Sequence, residues 1–422
     1  MRLARRAFLA SVAASVAAPA VLRGAAADAP IALKLHHSFS AVSGAHERFL
    51  VPWARKVESE AQGRIRVDIF PSMQLGGSPA RLYDQVRDGM TDLAWLLPSN
   101  TPARFAKIEV FELPFVPSRR ALVNSRALQD YAAANLADEF ADVRPICFSC
   151  RDHGIVHAKR AIKTISDLKG LRLHVPHRIA RETIHALGGE GISIPSAQLP
   201  MAIAGHVIDG CLDPWDLVPS LRLDNLLKEH TDFAESSLST ATFVLAMNKA
   251  TYERLPGELK AVVDANSGQA AAGMAGTMWD VEARAVAELV GGRGDPINVL
   301  TAEDIVSWRK ATEPVIGLWL KEMRARKIDG ADLVASANTL LAKYADEPEP
   351  QPPKPARPEP AEPSSAAQPP QATTEPSEVS KAGAATPSPQ AKIETPALPK
   401  VETPAAKPPV KPAPPKELDI PL

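Results

Sequence analysis

Residues 167–178, DLKGLRLHVPHR, read as a loop, a short strand and the start of a helix. Leu171 and Leu173 alternate with Arg172 and His174 as in a strand, and Pro176 marks the turn before the helix. The pattern continues. RIARETIHAL (178–187) is a helix, GISIP (191–195) a strand, and PMAIAGHVIDGCLDP (200–214) a helix end, Asp209 and another strand.

The same order stands earlier in the chain. IALKLHHSFS (31–40) alternates as a half-buried strand. AHERFLVPWARKVESEA (45–61) places Phe49, Leu50, Trp53 and Val57 at helical spacing, with Pro52 as an expected kink. RIRVDIF (64–70) alternates again, and PARLYDQVRDGMTDLAWLLP (79–98) runs helix, glycine stop, Asp92, strand. Such alternation predicts parallel sheets with crossover helices, and its repetition predicts two α/β units facing across a cleft. Gly89-x-x-Asp92 and His206-x-x-Asp209 occupy matching places, although glycine would sit more easily where His206 stands. Beyond Asn248 the text turns helical. Helix starts are expected at Pro256 and at Thr301, which Glu303 and Asp304 follow, and one long helix near residues 258–290 would lie across both units.

The ends are different material. Residues 1–27 have a basic start, an apolar run too short to span a bilayer, and an A-x-A cleavage pattern at Ala25–Ala27. Arg5-Arg6 followed by Phe8-Leu9 resembles a twin-arginine export signal, so a periplasmic location is expected. Residues 346–422 hold 22 of the 40 prolines and no Phe, Trp or Tyr. Such a chain cannot bury enough apolar surface to offset its ordering entropy, and disorder is expected there. It reads as a tether whose partner the sequence does not specify.

A net charge of −1 provides no electrostatic footprint for nucleic acid. Cys147, Cys150 and Cys211 read as small buried residues, since thiols three apart on a strand face opposite sides. His36-His37 would suggest a metal only with a third ligand, and spacing supplies none, so neither metal nor cofactor is expected.

Six landmarks carry a family resemblance: GRIRVDIFPSMQLGG (63–77), QVRDGMTDLAW (85–95), ELPFV (112–116), IKTISDLKGLRLHVP (162–176), HVIDGCLDPW (206–215) and FVLAMNKATYERLPGELKAVVD (243–264). In this order and spacing the chain resembles the solute-binding proteins of tripartite ATP-independent periplasmic (TRAP) transporters, of the dicarboxylate-receptor type, over about residues 31–290. The resemblance implies an α/β, two-lobed binding-protein fold of type II-like form. Residues 28–150 would form a first lobe completed by about 240–280, and residues 151–239 a second completed by about 281–345. It also implies a receptor, not an enzyme, that captures a small carboxylate and hands it to membrane permease subunits.

In that family an arginine before the VP pairs with the ligand carboxylate, and an asparagine after the DG adds a polar contact. Here His174 and Asp213 stand at those places, and Val156 and His157 occupy the area of a second family arginine. The candidate contacts are therefore His174 as a donor, Arg178 as a replacement cation at a helix start, and Asp213 facing a hydroxyl, amine or bridging cation. Trp215 is a candidate flat wall, with His37, Ser38 and Trp95 at strand ends of the first lobe. Two other readings compete. One is a degenerate receptor acting as an interaction or sensory protein through its tail, and the other is a twin-arginine-exported enzyme.

Overall fold

Alternating apolar residues build two sheets in the computed structural model, which describes residues 29–101 and 103–350. The leader, and the Pro-rich segment beyond residue 350, lie outside the described residues. The first sheet has the order β2-β1-β3-β10-β4, from β1 (Ile31–His37), β2 (Ile65–Phe70), β3 (Leu93–Leu96), β4 (Val143–Cys150) and β10 (Thr242–Asn248). The second has the order β11-β9-β5-β8-β6-β7, from β5 (Ile155–Ala158), β6 (Arg172–His174), β7 (Glu190–Ile192), β8 (Gly210–Asp213), β9 (Glu229–Asp232) and β11 (Ile297–Val299).

Neither sheet is purely parallel, which corrects the expectation from the alternating pattern. β10 runs against β3 and β4, and β5 runs against β8 and β9. The cause is the chain path. It passes from the first lobe to the second through residues 151–154 and back through 233–241, and the first strand after each of these crossings, β5 and β10, runs reversed.

The helices are α1 (Val51–Glu60), α2 (Leu82–Arg87), α3 (Ala121–Asn135), α4 (Arg178–Ala186), α5 (Leu199–Ala204), α6 (Leu217–Ser220), α7 (Lys249–Arg254), α8 (Gly257–Ala265), α9 (Gln269–Gly292), α10 (Ala302–Ala325) and α11 (Gly330–Lys343). Ala45–Leu50 winds as a π-helix straight into α1, so Pro52 falls in the first α-turn, where its missing N–H is tolerated, and makes no mid-helix kink. The helix expected over 258–290 is broken at Gly268, which takes φ +61° and donates its N–H to Ile146 O at 2.7 Å. Pro256 and Thr301 do begin helices, the latter through a capping box with Asp304.

The repeated motif has a physical basis. Gly89 and His206 both adopt left-handed backbone, at φ +75° and +56°, a strain of about 1 kcal/mol for a residue with a Cβ. Each turn delivers an aspartate whose carboxylate accepts the N–H of a residue on the neighbouring parallel strand: Lys34 to Asp92 at 2.9 Å, Arg172 to Asp209 at 3.0 Å. The Arg172 side chain also pairs with Asp209 at 3.0 Å, which ties it to the start of the strand and away from the cleft.

Two helices join the lobes where one was expected. α9 packs Ala271, Ala275 and Trp279 into the first lobe's core, then Ala283, Val286 and Val290 against Ile155, Trp215 and Val218 of the second. α10 does the reverse: Ile305 and Trp308 sit in the second lobe, and Val315, Trp319 and Met323 in the first, with Pro314 between the two sets. α11 then packs Leu333, Ala337 and Leu341 on the first lobe. Residues 281–345 therefore do not simply complete the second lobe, because the apolar faces of α10 and α11 lead back to the first. All six tryptophans are buried. Cys147 and Cys150 lie in cores on opposite faces of the first sheet, and the three thiols are free.

Candidate functional site

Arg151, Asp152, Gly154 and residues 239–241, where the chain crosses between the lobes, line a small cavity with Pro176, Leu212 and Pro214 at the carboxyl ends of β6 and β8. His174 and Asp213 come together at those strand ends. They end neighbouring strands, His174 Nε2 lies 3.6 Å from Asp213 Oδ2, and both side chains are buried. Burial pushes the His174 imidazole down to about 4 and the Asp213 carboxyl up to about 8, since neither charge is solvated. At neutral pH both are uncharged.

At the carboxyl end of β1, His37 bonds His46 at 3.0 Å between ring nitrogens, and its pKa is depressed to about 3 by burial and by neighbouring histidines. Ser38 is half-buried just beyond it. Trp95 belongs to an aromatic cluster: its ring centroid is 5.4 Å from Phe39, 4.9 Å from Phe243 and 6.1 Å from Trp279. Trp215 lies on the hinge side, edge-on to His157 at 5.1 Å. There it lines a cavity of about 220 Å³ with Asp152, His153, Arg119, Arg120, Asp280 and Arg284. Residues just past α11 reach this cavity. Glu347 pairs with Arg126 at 2.7 Å, Arg120 donates to Pro348 O at 3.1 Å, and Glu349 and Pro350 line the rim.

Arg178, expected as the replacement cation, is engaged within the protein. Its guanidinium donates to Glu109 at 2.7 Å and to Glu322 at 2.8 Å, joining α4 to Ile108–Glu112 and to the far end of α10. The adjacent His177 Nε2 bonds Thr240 O at 2.8 Å, and its Nδ1 lies 3.4 Å from Glu112.

The cation in the cleft is Arg151, which the sequence reading passed over. It is the only Arg or Lys among the described residues that is buried. Its guanidinium carbon sits 5.0 Å from the Trp279 ring centroid and 6.0 Å from that of Phe39. Nε donates to Asp216 Oδ1 at 3.1 Å, Nη2 donates to the other Asp216 oxygen, and the backbone N–H is fixed by Ala241 O at 2.9 Å. Arg151 lines a second cavity of about 10 Å³, room for one water, with Asp152, Leu212, Pro214 and Thr240 among its walls. The signal for Arg151 is a charged triplet, Arg151-Asp152-His153, set between two apolar strands.

This burial has a pH consequence. Burial raises Asp213 to about 8, and Glu112, Glu139 and Glu282 to about 7. Between pH 6.5 and 8 the unfolded chain has these groups ionised while the folded chain retains protons. The folded state binds more protons, and stability falls as pH rises, by on the order of 2 kcal/mol. Below 6.5 the buried His37, His174, His177 and His230, held at about 3 to 4, act oppositely, because only the unfolded chain protonates them. Calorimetry should find a lower melting temperature at pH 8 than at pH 6.5, and an equal or higher one would refute this balance.

The family described as bacterial extracellular solute-binding protein, family 7 (DctP), matches residues 36–322. The chain belongs to that family and is a TRAP solute-binding protein. A TRAP solute-binding protein from Rhodoferax ferrireducens, solved with copurified benzoate, is 36% identical with a TM-score of 0.72, covering 75% of this chain and 98% of its own. A marine-metagenome TRAP protein specific for aromatic acids, bound to meta-hydroxyphenylacetate, is also 36% identical, with a TM-score of 0.72 and coverage of 74% and 99%. The C4-dicarboxylate-binding periplasmic protein DctP of Rhodobacter capsulatus is 21% identical over 68% of this chain and 84% of that protein. The family and these neighbours are solute-binding receptors.

Proposed function

We propose that the chain is a periplasmic receptor that closes on a small aromatic monocarboxylate and delivers it to a TRAP-type membrane permease. The observation that carries this reading is Arg151, buried at the lobe junction with Trp279 and Phe39 beneath its guanidinium. A guanidinium fork pairs with a carboxylate through two parallel hydrogen bonds, a geometry that His174 cannot supply. The rings offer flat apolar surface to an aromatic body. Asp216 holds the fork and stands where a ligand carboxylate would bind, so a ligand enters by exchanging with it. The benzoate and hydroxyphenylacetate of the two relatives above support the ligand class, and the leader supports export.

The test is calorimetry with benzoate on the mature chain, read alongside quenching of tryptophan fluorescence. Saturable one-site binding is expected. Absence of binding by benzoate and by every other small monocarboxylate tried would overturn the reading.

A further inference from the structure

Arg151 carries the one buried guanidinium among the described residues, and acids surround it. Asp216 accepts from both Nε and Nη2, so the pair is neutral as it stands. Asp152, next in sequence, lines the same small cavity as Arg151 and is 1% exposed. Neither of its oxygens has a hydrogen-bond partner among the described residues. α9 adds Glu282 and Asp280. Glu282 pairs with Arg48 at 2.5 Å, and it fits there because residue 44 is a glycine: a Cβ on Gly44 would sit 1.7 Å from Glu282 Oε2. Asp280 accepts the N–H groups of Ala121 and Leu122 at 2.6 and 3.0 Å. The end of β8 contributes Asp213, and the crossing contributes His153, whose Nε2 lies 3.3 Å from Asp232. The crowding is visible in the acids themselves. Burial and then Asp216 hold the Asp152 carboxyl well above the usual range, and the same two causes raise Glu282 to about 7.

We propose that this receptor takes up one proton from the solvent with each carboxylate it captures, so that its cargo enters the junction as the equivalent of a neutral acid. The proposal rests on the reading of Arg151 as the seat of the ligand carboxylate. When that carboxylate takes the fork, Asp216 loses its counter-charge, and one guanidinium faces two negative charges. A buried carboxylate without a partner is so unfavourable that it binds a proton instead. Water does not offset the loss, because the cavity beside Arg151, about 10 Å³, has room for one molecule. The other cations facing these acids are engaged: Arg48 with Glu282, and Arg120 with the carbonyls of Ala345 and Pro348. The proton ends as an O–H within the set Asp152, Asp216 and Glu282, whose coupled titration belongs to the group and not to one residue. The net charge of the junction is then the same before and after binding.

The experiment is calorimetry of benzoate binding to the mature chain at about pH 7.5, in phosphate and in Tris, whose ionisation enthalpies differ widely. The dependence of the observed enthalpy on that of the buffer counts the protons taken up, and about one per benzoate is expected. By the same linkage the dissociation constant should rise about 10-fold from pH 7 to pH 8. Asp152→Asn with Asp216→Asn leaves Arg151 no neighbouring acid to release, so uptake should fall to a small fraction of a proton and the pH dependence should flatten. Saturable binding by the natural chain with no proton uptake, and with equal affinity at pH 7 and pH 8, overturns the proposal and leaves the Arg151 reading standing. Full uptake by the folded double variant overturns it as well, since the proton then goes elsewhere. The natural chain decides alone if that variant does not fold. If neither benzoate nor any other small monocarboxylate binds, the Arg151 reading falls and the proposal falls with it.

Discussion

Arg151→Ala should weaken benzoate binding by at least about 100-fold, the largest effect on binding expected of any single substitution in this chain. Removing one partner of a buried, charge-assisted pair costs about 2–5 kcal/mol in binding systems. Arg151 has the burial and the fork for such a pair. Arg151→Lys keeps the charge but loses the planar fork and the stacking over Trp279, so it should recover only a small part of the affinity. Either change strands Asp216, whose side chain is only 10% exposed, so the folded fraction must be followed by melting. Arg151→Ala with Asp216→Asn removes the stranded charge and should restore stability without restoring binding. Near-native affinity in a folded Arg151→Ala protein would sink the assignment.

Arg178→Ala should do the opposite and spare the ligand while damaging the fold. Arg178 compensates Glu109, whose side chain is 5% exposed, and also faces Glu322. Burial already raises the Glu109 carboxyl against the opposing pull of Arg178, so loss of the cation leaves an acid that must protonate or rehydrate. Breaking a fully buried pair costs about 3–5 kcal/mol, and the partial exposure of Arg178 and Glu322 reduces this to about 2–4 kcal/mol. Adding Glu109→Gln should recover much of the loss, the sign of coupling in a double-mutant cycle. The benzoate dissociation constant should shift by less than about 10-fold, in contrast to Arg151. Unchanged melting with abolished binding would return Arg178 to the ligand site.

What the sequence revealed and what it hid divide along a physical line. Strand alternation, the Asp92 and Asp209 turns and the Thr301 cap are local, and local text shows them. Strand direction is not local: nothing inside TFVLAMN (242–248) tells that β10 runs against its neighbours, since that follows from where the chain crosses. The break at Gly268 interrupts a periodic helical pattern for the sake of a bond to Ile146, far away in sequence. The site shows the same division. That His174 and Asp213 would neighbour one another was legible because both end adjacent strands. Arg178 reads as an anion-binding cation because it starts a helix, and its acidic partners were hidden because they stand 69 and 144 positions away. Arg151 was missed because it follows a buried strand as closely as any structural residue would.

The two lobe-crossing helices give the receptor a mechanical character. Extended crossings such as residues 151–154 bend by small rotations about single bonds and resist little. A continuous helix resists bending along its whole length, so α9 and α10, anchored in both lobes, act as two leaf springs mounted in parallel with the strand hinge. Pro314 removes one hydrogen-bonded rung of α10 between its two anchor points, and curvature concentrates at such a weakened rung. Any parting of the lobes would therefore flex α10 near Pro314 and load α9 more evenly. Helix stiffness would then set a limit on the angle to which the lobes could part.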